Sequence, residues 1–109
     1  MVRHFAILIP AGGAVDLKSV IAAGDQTIGF GGLYFQALKA AAADIFVGAT
    51  KDTSAAAPIS STNHGFRVDP ADTAPPIEIL RGSGAALRLG DFSIAGTAGD
   101  TLLIFGVED

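Results

Sequence analysis

Ala95-Gly96-Thr97-Ala98-Gly99-Asp100-Thr101-Leu102-Leu103-Ile104-Phe105-Gly106-Val107-Glu108-Asp109 is the stretch whose reading decides the fold. A Gly-Asp turn launches a run of β-forming residues in which Leu103, Phe105 and Val107 point one way and Leu102 and Ile104 the other, because strand side chains alternate between faces. Both sets are apolar. One face therefore meets a core and the other needs a second covering surface, which places the strand inside a sandwich or at a contact between subunits. No catalytic group lies along it, so the run points to structure rather than chemistry.

Working outward, the rest of the chain repeats the same short-strand grammar. Phe5, Ile7 and Ile9 alternate with Ala6 and Leu8 until Pro10-Ala11-Gly12-Gly13 stops the run, and Val15-Asp16-Leu17-Lys18 alternates again before Ala22-Ala23-Gly24-Asp25 breaks it. Thr27 to Phe30 begins an extended piece interrupted by Gly29, Gly31 and Gly32, and glycines inside a strand signal a bulge or a close backbone approach. Leu33 to Ala43 fits both periods. Its aromatic pair favours a strand over Leu33 to Leu38, since a helix of that length is marginal alone. Asp44 to Gly48 reads as a short buried strand, and Lys51 to Asn63 as a polar loop.

Beyond His64 the alternation sharpens: Phe66 and Val68 flank Arg67, Ile77 and Ile79 flank Glu78, and Leu87 and Leu89 flank Arg88. Each trio buries apolar groups and exposes a charge. Asp69 to Pro76 is a stiff connector with Pro75-Pro76 in polyproline geometry, Arg81-Gly82-Ser83-Gly84 is a turn, and Phe92 and Ile94 mark a strand before the final hairpin. About eight short strands spaced by Gly and Pro predict an all-β fold, an antiparallel β-sandwich or jelly-roll-like barrel, in a single domain over 1–109.

Composition narrows the function classes. The chain has 109 residues and should bury roughly 65 % of its unfolded surface. Alanine fills 20 positions and glycine 14, so the few large residues carry the packing and association becomes an attractive source of stability. There is no cysteine, hence no disulfide or thiolate metal site. The net charge is −4 and the seven basic residues, Arg3, Lys18, Lys39, Lys51, Arg67, Arg81 and Arg88, stand singly, which argues against nucleic-acid binding. Phe5 to Pro10 is too short for a secretory core or a membrane span, and the initial Met argues against a removed leader, so neither membrane nor export is expected.

His4 and His64 are the only histidines. A cupin-like metalloenzyme would need them joined by Asp69 or Glu78, yet His4 is expected to precede a strand and His64 to sit in a loop. Gly82-Ser83-Gly84-Ala85-Ala86 and Gly29-Phe30-Gly31-Gly32 resemble phosphate loops but lack the Walker Lys and the following helix. Ser60, Ser61 and His64 lie close in sequence without an elbow motif or an acid partner. Asp52, Asp69 and Asp72 offer loop oxygens to calcium without an EF-hand spacing. Tyr34 and the seven phenylalanines, with no Trp, are expected mostly in the core, which weakens a sugar-binding platform. No catalytic, metal or cofactor-binding residue is assigned, no cofactor is expected, and the chain does not read as an enzyme.

Four stretches together carry a family likeness: Asp44 to Gly48, Asn63 to Val68, Leu87 to Gly96, and Ala98-Gly99-Asp100-Thr101-Leu102, with Gly32 to Lys39 and its Gln36 preceding them. Over roughly Gly32 to Val107 this order of strand and turn signatures resembles small virion structural proteins of tailed bacteriophages, of the head decoration or cement type. Phe46 stands where that pattern often has Tyr, and Pro75-Pro76 where a Pro-Gly turn is usual. The resemblance implies a structural role on the outside of a capsid, with the major capsid protein as partner, and no catalytic residue to carry over.

The sequence therefore leads to the expectation of a capsid decoration protein, a homo-oligomer (trimer or dimer) on the virion surface, assembled in the host cytoplasm. Residues Val2 to Ile9 and Thr101 to Val107 are expected to supply edges for a neighbouring sheet. The rival expectation is a fibre-base or adhesin-like virion module that binds host glycan through Lys51 to Asn63 and Asp69 to Pro76.

Overall fold

The computed structural model describes residues 1–49, 59–71 and 74–109, so the expected polar loop lies outside the described residues up to 58, as do Asp72 and Thr73 of the proline-rich connector. Eight strands follow one another among the described residues: β1 (Val2–Leu8), β2 (Ala14–Asp16), β3 (Phe30–Ala37), β4 (Ile45–Ala49), β5 (Phe66–Val68), β6 (Ile77–Leu80), β7 (Phe92–Ala95) and β8 (Thr101–Glu108). They form two antiparallel four-stranded sheets, a front sheet ordered β1-β8-β3-β6 and a back sheet ordered β2-β7-β4-β5. Among the described residues each sheet keeps two free edges, so this is an open sandwich rather than a closed barrel.

The core is made where the two period-2 patterns face each other. Ile7 of β1, Leu33 and Phe35 of β3, and Leu102 and Ile104 of β8 point inward from the front sheet, against Ile45 and Val47 of β4, Val68 of β5 and Ile94 of β7. Phe35 is the bridge. Its ring lies 5.3 Å from Phe66 and 5.5 Å from Phe92, both on the back sheet, in the tilted geometries aromatic quadrupoles prefer. The strand chosen for Leu33 to Leu38 is the body of β3, and the bulge signalled by Gly31 and Gly32 is present as a register shift between Phe30 and Gly32 against β8. The expected final hairpin is instead a crossover: β7 lies in the back sheet and β8 in the front, and the connection between them turns at Gly99, whose φ of +93° is a left-handed conformation that glycine adopts without steric cost.

Several further expectations are corrected. The final strand offers no edge: β8 is the interior strand of the front sheet, paired on one side with β1 and on the other with β3. His4 does not precede a strand but lies within β1. Only Phe30 of the Thr27 to Phe30 piece enters β3, and the alternation through Lys18 stops pairing at Asp16, where Leu17–Ser19 forms a 3-10 turn that buries Leu17. Leu87 to Leu89 is not a regular strand. Leu87 makes a single bridge to Phe30, with amide–carbonyl bonds of 2.7 and 2.8 Å, and Leu89–Asp91 then closes a 3-10 turn. The burial alternation survives without the ladder, since Leu89 is buried and Arg88 exposed.

The two sheets differ on their outward sides. On the back sheet, Gly48 and Ser93 are buried although they point away from the core. A Cβ on Gly48 would collide with Ile59 Cδ1, and the His64 ring lies 4.8 Å from Phe46, so the segment from Ile59 to Gly65 folds over that face. On the front sheet Pro70, Ala71 and Pro76 border only the end at Gln36 and Leu103, and Phe105 and Val107 stay exposed.

Candidate docking surface

The outward positions of the front sheet follow from its register. Three rows cross it: Val2, Val107, Gly32 and Leu80; then His4, Phe105, Tyr34 and Glu78; then Ala6, Leu103 and Gln36. On β8 the inward Leu102 and Ile104 are 0 and 1 % exposed, whereas the outward Phe105 and Val107 are 44 and 39 % exposed, so the strand has one covered face and one bare one. Val2, Leu8 and Leu80 are more exposed still. Large apolar side chains left bare together, not singly, are the mark of an interaction surface.

The face is shaped as well as apolar. Phe105 and Tyr34 meet edge-on at 6.2 Å between ring centres, and together with His4, Gln36, Leu103 and Pro76 they border a shallow groove of about 560 Å³. Ionisable groups are sparse. His4 sits on the β1 edge and Glu78 on the β6 edge, at opposite ends of the central row, about 14 Å apart at an ordinary strand spacing. Tyr34, beside Glu78, is held above the usual phenol range, first by its hydrogen bond to that carboxylate, then by the carboxylate's charge, and last by slight desolvation.

Of the candidate residues for chemistry, Ser60 and His64 meet and the other described ones stand apart. His4 faces out from the front sheet, while His64 lies against the back sheet, where its Nδ1 bonds the Ser60 carbonyl at 3.0 Å rather than a serine hydroxyl. Ser60 Oγ instead shares a hydrogen bond of 3.2 Å with Thr62 Oγ1. Asp69 accepts the Ala71 amide in a local turn, and Asp52 and Asp72 lie outside the described residues. Arg81 donates to the Gly84 carbonyl at 2.8 Å, which makes the glycine-rich stretch after it a tight turn. No group of three or more His, Cys, Asp or Glu is placed to hold a metal among the described residues. No helix among them is long and apolar enough to cross a membrane.

The alternation of β8 made half of this surface visible in the sequence. The other half was missed. Val2, Tyr34 and Leu80 join Phe105 and Val107 only because the chain order places β1, β3 and β6 around β8, and no local pattern encodes that order. The missed signal was Leu8 and Leu80, apolar residues on the polar beat of otherwise alternating strands.

No family model, curated protein or solved structure matches this chain.

Proposed function

We propose that this chain is a virion structural protein of the head decoration type, which works as a homo-oligomer on the outside of a capsid and reinforces contacts between major capsid subunits. The observation that carries the reading is the bare apolar face of the front sheet, set on a rigid sandwich whose other outward side is covered by its own chain. The likeness of its strand and turn signatures to small virion proteins of tailed phages supports the same reading. So does the free edge of β1, which is open to strand addition by a neighbour.

The mechanism is mass action. A protein that binds the expanded shell and not its disassembled parts stabilises the shell by about 2.7 kcal/mol per site at a free concentration of roughly 100 times Kd. Repeated over a lattice, modest sites suffice. The acidic balance of −4 suits an exterior position better than one against packaged DNA.

Thermal release of DNA from heads with and without the protein tests this, together with copies per particle by mass spectrometry. A higher release temperature and a copy number near that of the major capsid protein are expected. Equal release temperatures overturn the reading, and a handful of copies at the tail favours the glycan-binding module instead.

A further inference from the structure

The outward face of the front sheet is self-complementary. Its central row runs His4, Phe105, Tyr34, Glu78, with a hydrogen-bond donor at one end, a carboxylate at the other and two aromatic rings between. We propose that this face is the contact between two copies of the chain, packed sheet on sheet about a two-fold axis parallel to the strands. The inference rests on the oligomeric part of the function proposed above and names its surface and geometry.

The choice of axis follows from charge. Two copies meeting face to face must be related by an axis lying in the interface. An axis across the strands would set β1 on β1 and β6 on β6, with Glu78 against the partner's Glu78, a like-charge contact that opposes docking. An axis along the strands sets β1 on the partner's β6 and β8 on the partner's β3. His4 then meets the partner's Glu78 twice over, Phe105 lies against the partner's Tyr34, and Val2 lies against the partner's Leu80.

Packing distance agrees with this pairing. Sheets stack about 10 Å apart with strands within roughly 30° of alignment, a span that an imidazole and a glutamate reach from opposite sides. Glu78 is available for it. The Tyr34 hydroxyl beside it takes at most one of its lone pairs, and a carboxylate has about four to offer. The imidazole donates an N–H in its neutral and its charged form alike, so the pairing does not hinge on titration. No Lys or Arg occupies an outward position of these four strands to disturb the match.

A reciprocal exchange on the full chain tests the proposal, read by sedimentation velocity from about 1 to 100 µM. The wild type is expected to be a dimer at the upper concentrations. His4→Glu sets carboxylates against each other and is expected to raise the dimer Kd at least tenfold, and Glu78→His alone is expected to weaken it similarly. The H4E/E78H double variant restores the complementary ends and is expected to return to within about threefold of wild type. All the changes are on solvent-facing positions, and circular dichroism melting of each variant at 1 µM reports whether it folds. A monomeric wild type overturns the proposal, as does a double variant no tighter than the singles or a dimer indifferent to all three. A dimer that fails to bind heads overturns the decoration reading and leaves this contact standing, whereas a monomer that binds heads does the reverse.

Discussion

Asp100 accepts the Ala42 amide on both of its carboxylate oxygens, each at 3.0 Å, across 58 residues of sequence. The bond ties the turn that launches β8 to the connection between β3 and β4, and Asp100 is only 9 % exposed. Hydrogen bonds to charged groups contribute about 1.5–3 kcal/mol. Asp100→Ala is expected to lose that range in urea denaturation, and Asp100→Asn, which keeps one carbonyl acceptor, about half of it. Equal stability of the alanine variant and the wild type would mean that the turn holds itself.

The Phe35 ring is fully buried between the sheets, whereas Phe105 stands in solvent on the front. Truncation should separate fold from contact. Phe35→Ala is expected to cost about 3–5 kcal/mol, the usual range for an aromatic core deletion. Phe105→Ala is expected to change unfolding of the dilute protein by no more than about 1 kcal/mol while weakening self-association. Denaturation at low concentration and sedimentation at high concentration measure the two effects. A large loss of monomer stability in Phe105→Ala would show that its ring is packing rather than contact.

Gly106 is glycine because Phe30 lies across it. A Cβ there would sit 2.6 Å from two ring carbons of a fully buried side chain. Overpacking of this kind costs about 1–3 kcal/mol. Gly106→Ala is therefore expected to destabilise, and Phe30→Leu in the same chain to give part of the loss back, a coupling that a double-mutant cycle reads directly. Strict additivity of the two changes would place the clash elsewhere.

Tyr34 is the only tyrosine, so its ultraviolet titration is unambiguous. Its phenol is raised above the ordinary value of 10.0 by the hydrogen bond to Glu78 and by that group's charge. The sign follows from linkage. A folded-state value above the unfolded one means a stabilising contribution fully present below pH about 10 and lost as pH climbs through the folded value. Glu78→Gln is expected to move the titration midpoint down toward the ordinary value and to remove that alkaline loss. An unmoved midpoint would break the assignment of cause.

What the sequence made legible was whatever depends on alternation. β6 and β8 were readable from period-2 runs, β3 from its aromatic pair and β4 from a short apolar run, and alternation also gave the exposure of Arg67, Glu78 and Arg88 between buried or half-buried neighbours. The breaks were readable too, from Gly and Pro. Leu87 to Leu89 shows the limit: the beat predicts which side chains are buried but not whether a partner strand is in place, and Phe30 offers only one bridge there. The edge role assigned to the final strand failed for a similar reason. Being the last strand in the sequence says nothing about place in the sheet, which loop closure and the pairing of distant strands decide. The candidate surface was half legible, because the alternation of β8 declared a bare apolar face while the outward residues of β1, β3 and β6 became its neighbours only through that order.

The spine of the front sheet is also its latest-made part. β1 and β3 each pair with β8 and not with one another, and the amide of Glu108 closes on the carbonyl of Met1 at 2.9 Å. During synthesis the first strand must therefore wait, unpaired, for nearly the whole of this stretch to emerge. Strand pairing across so long a separation is slow, because the entropy of closing the loop is lost before any contact offsets it. Nascent chains should consequently resist condensing into a partial sandwich, and self-recognition through the front sheet becomes available only once translation has passed Glu108.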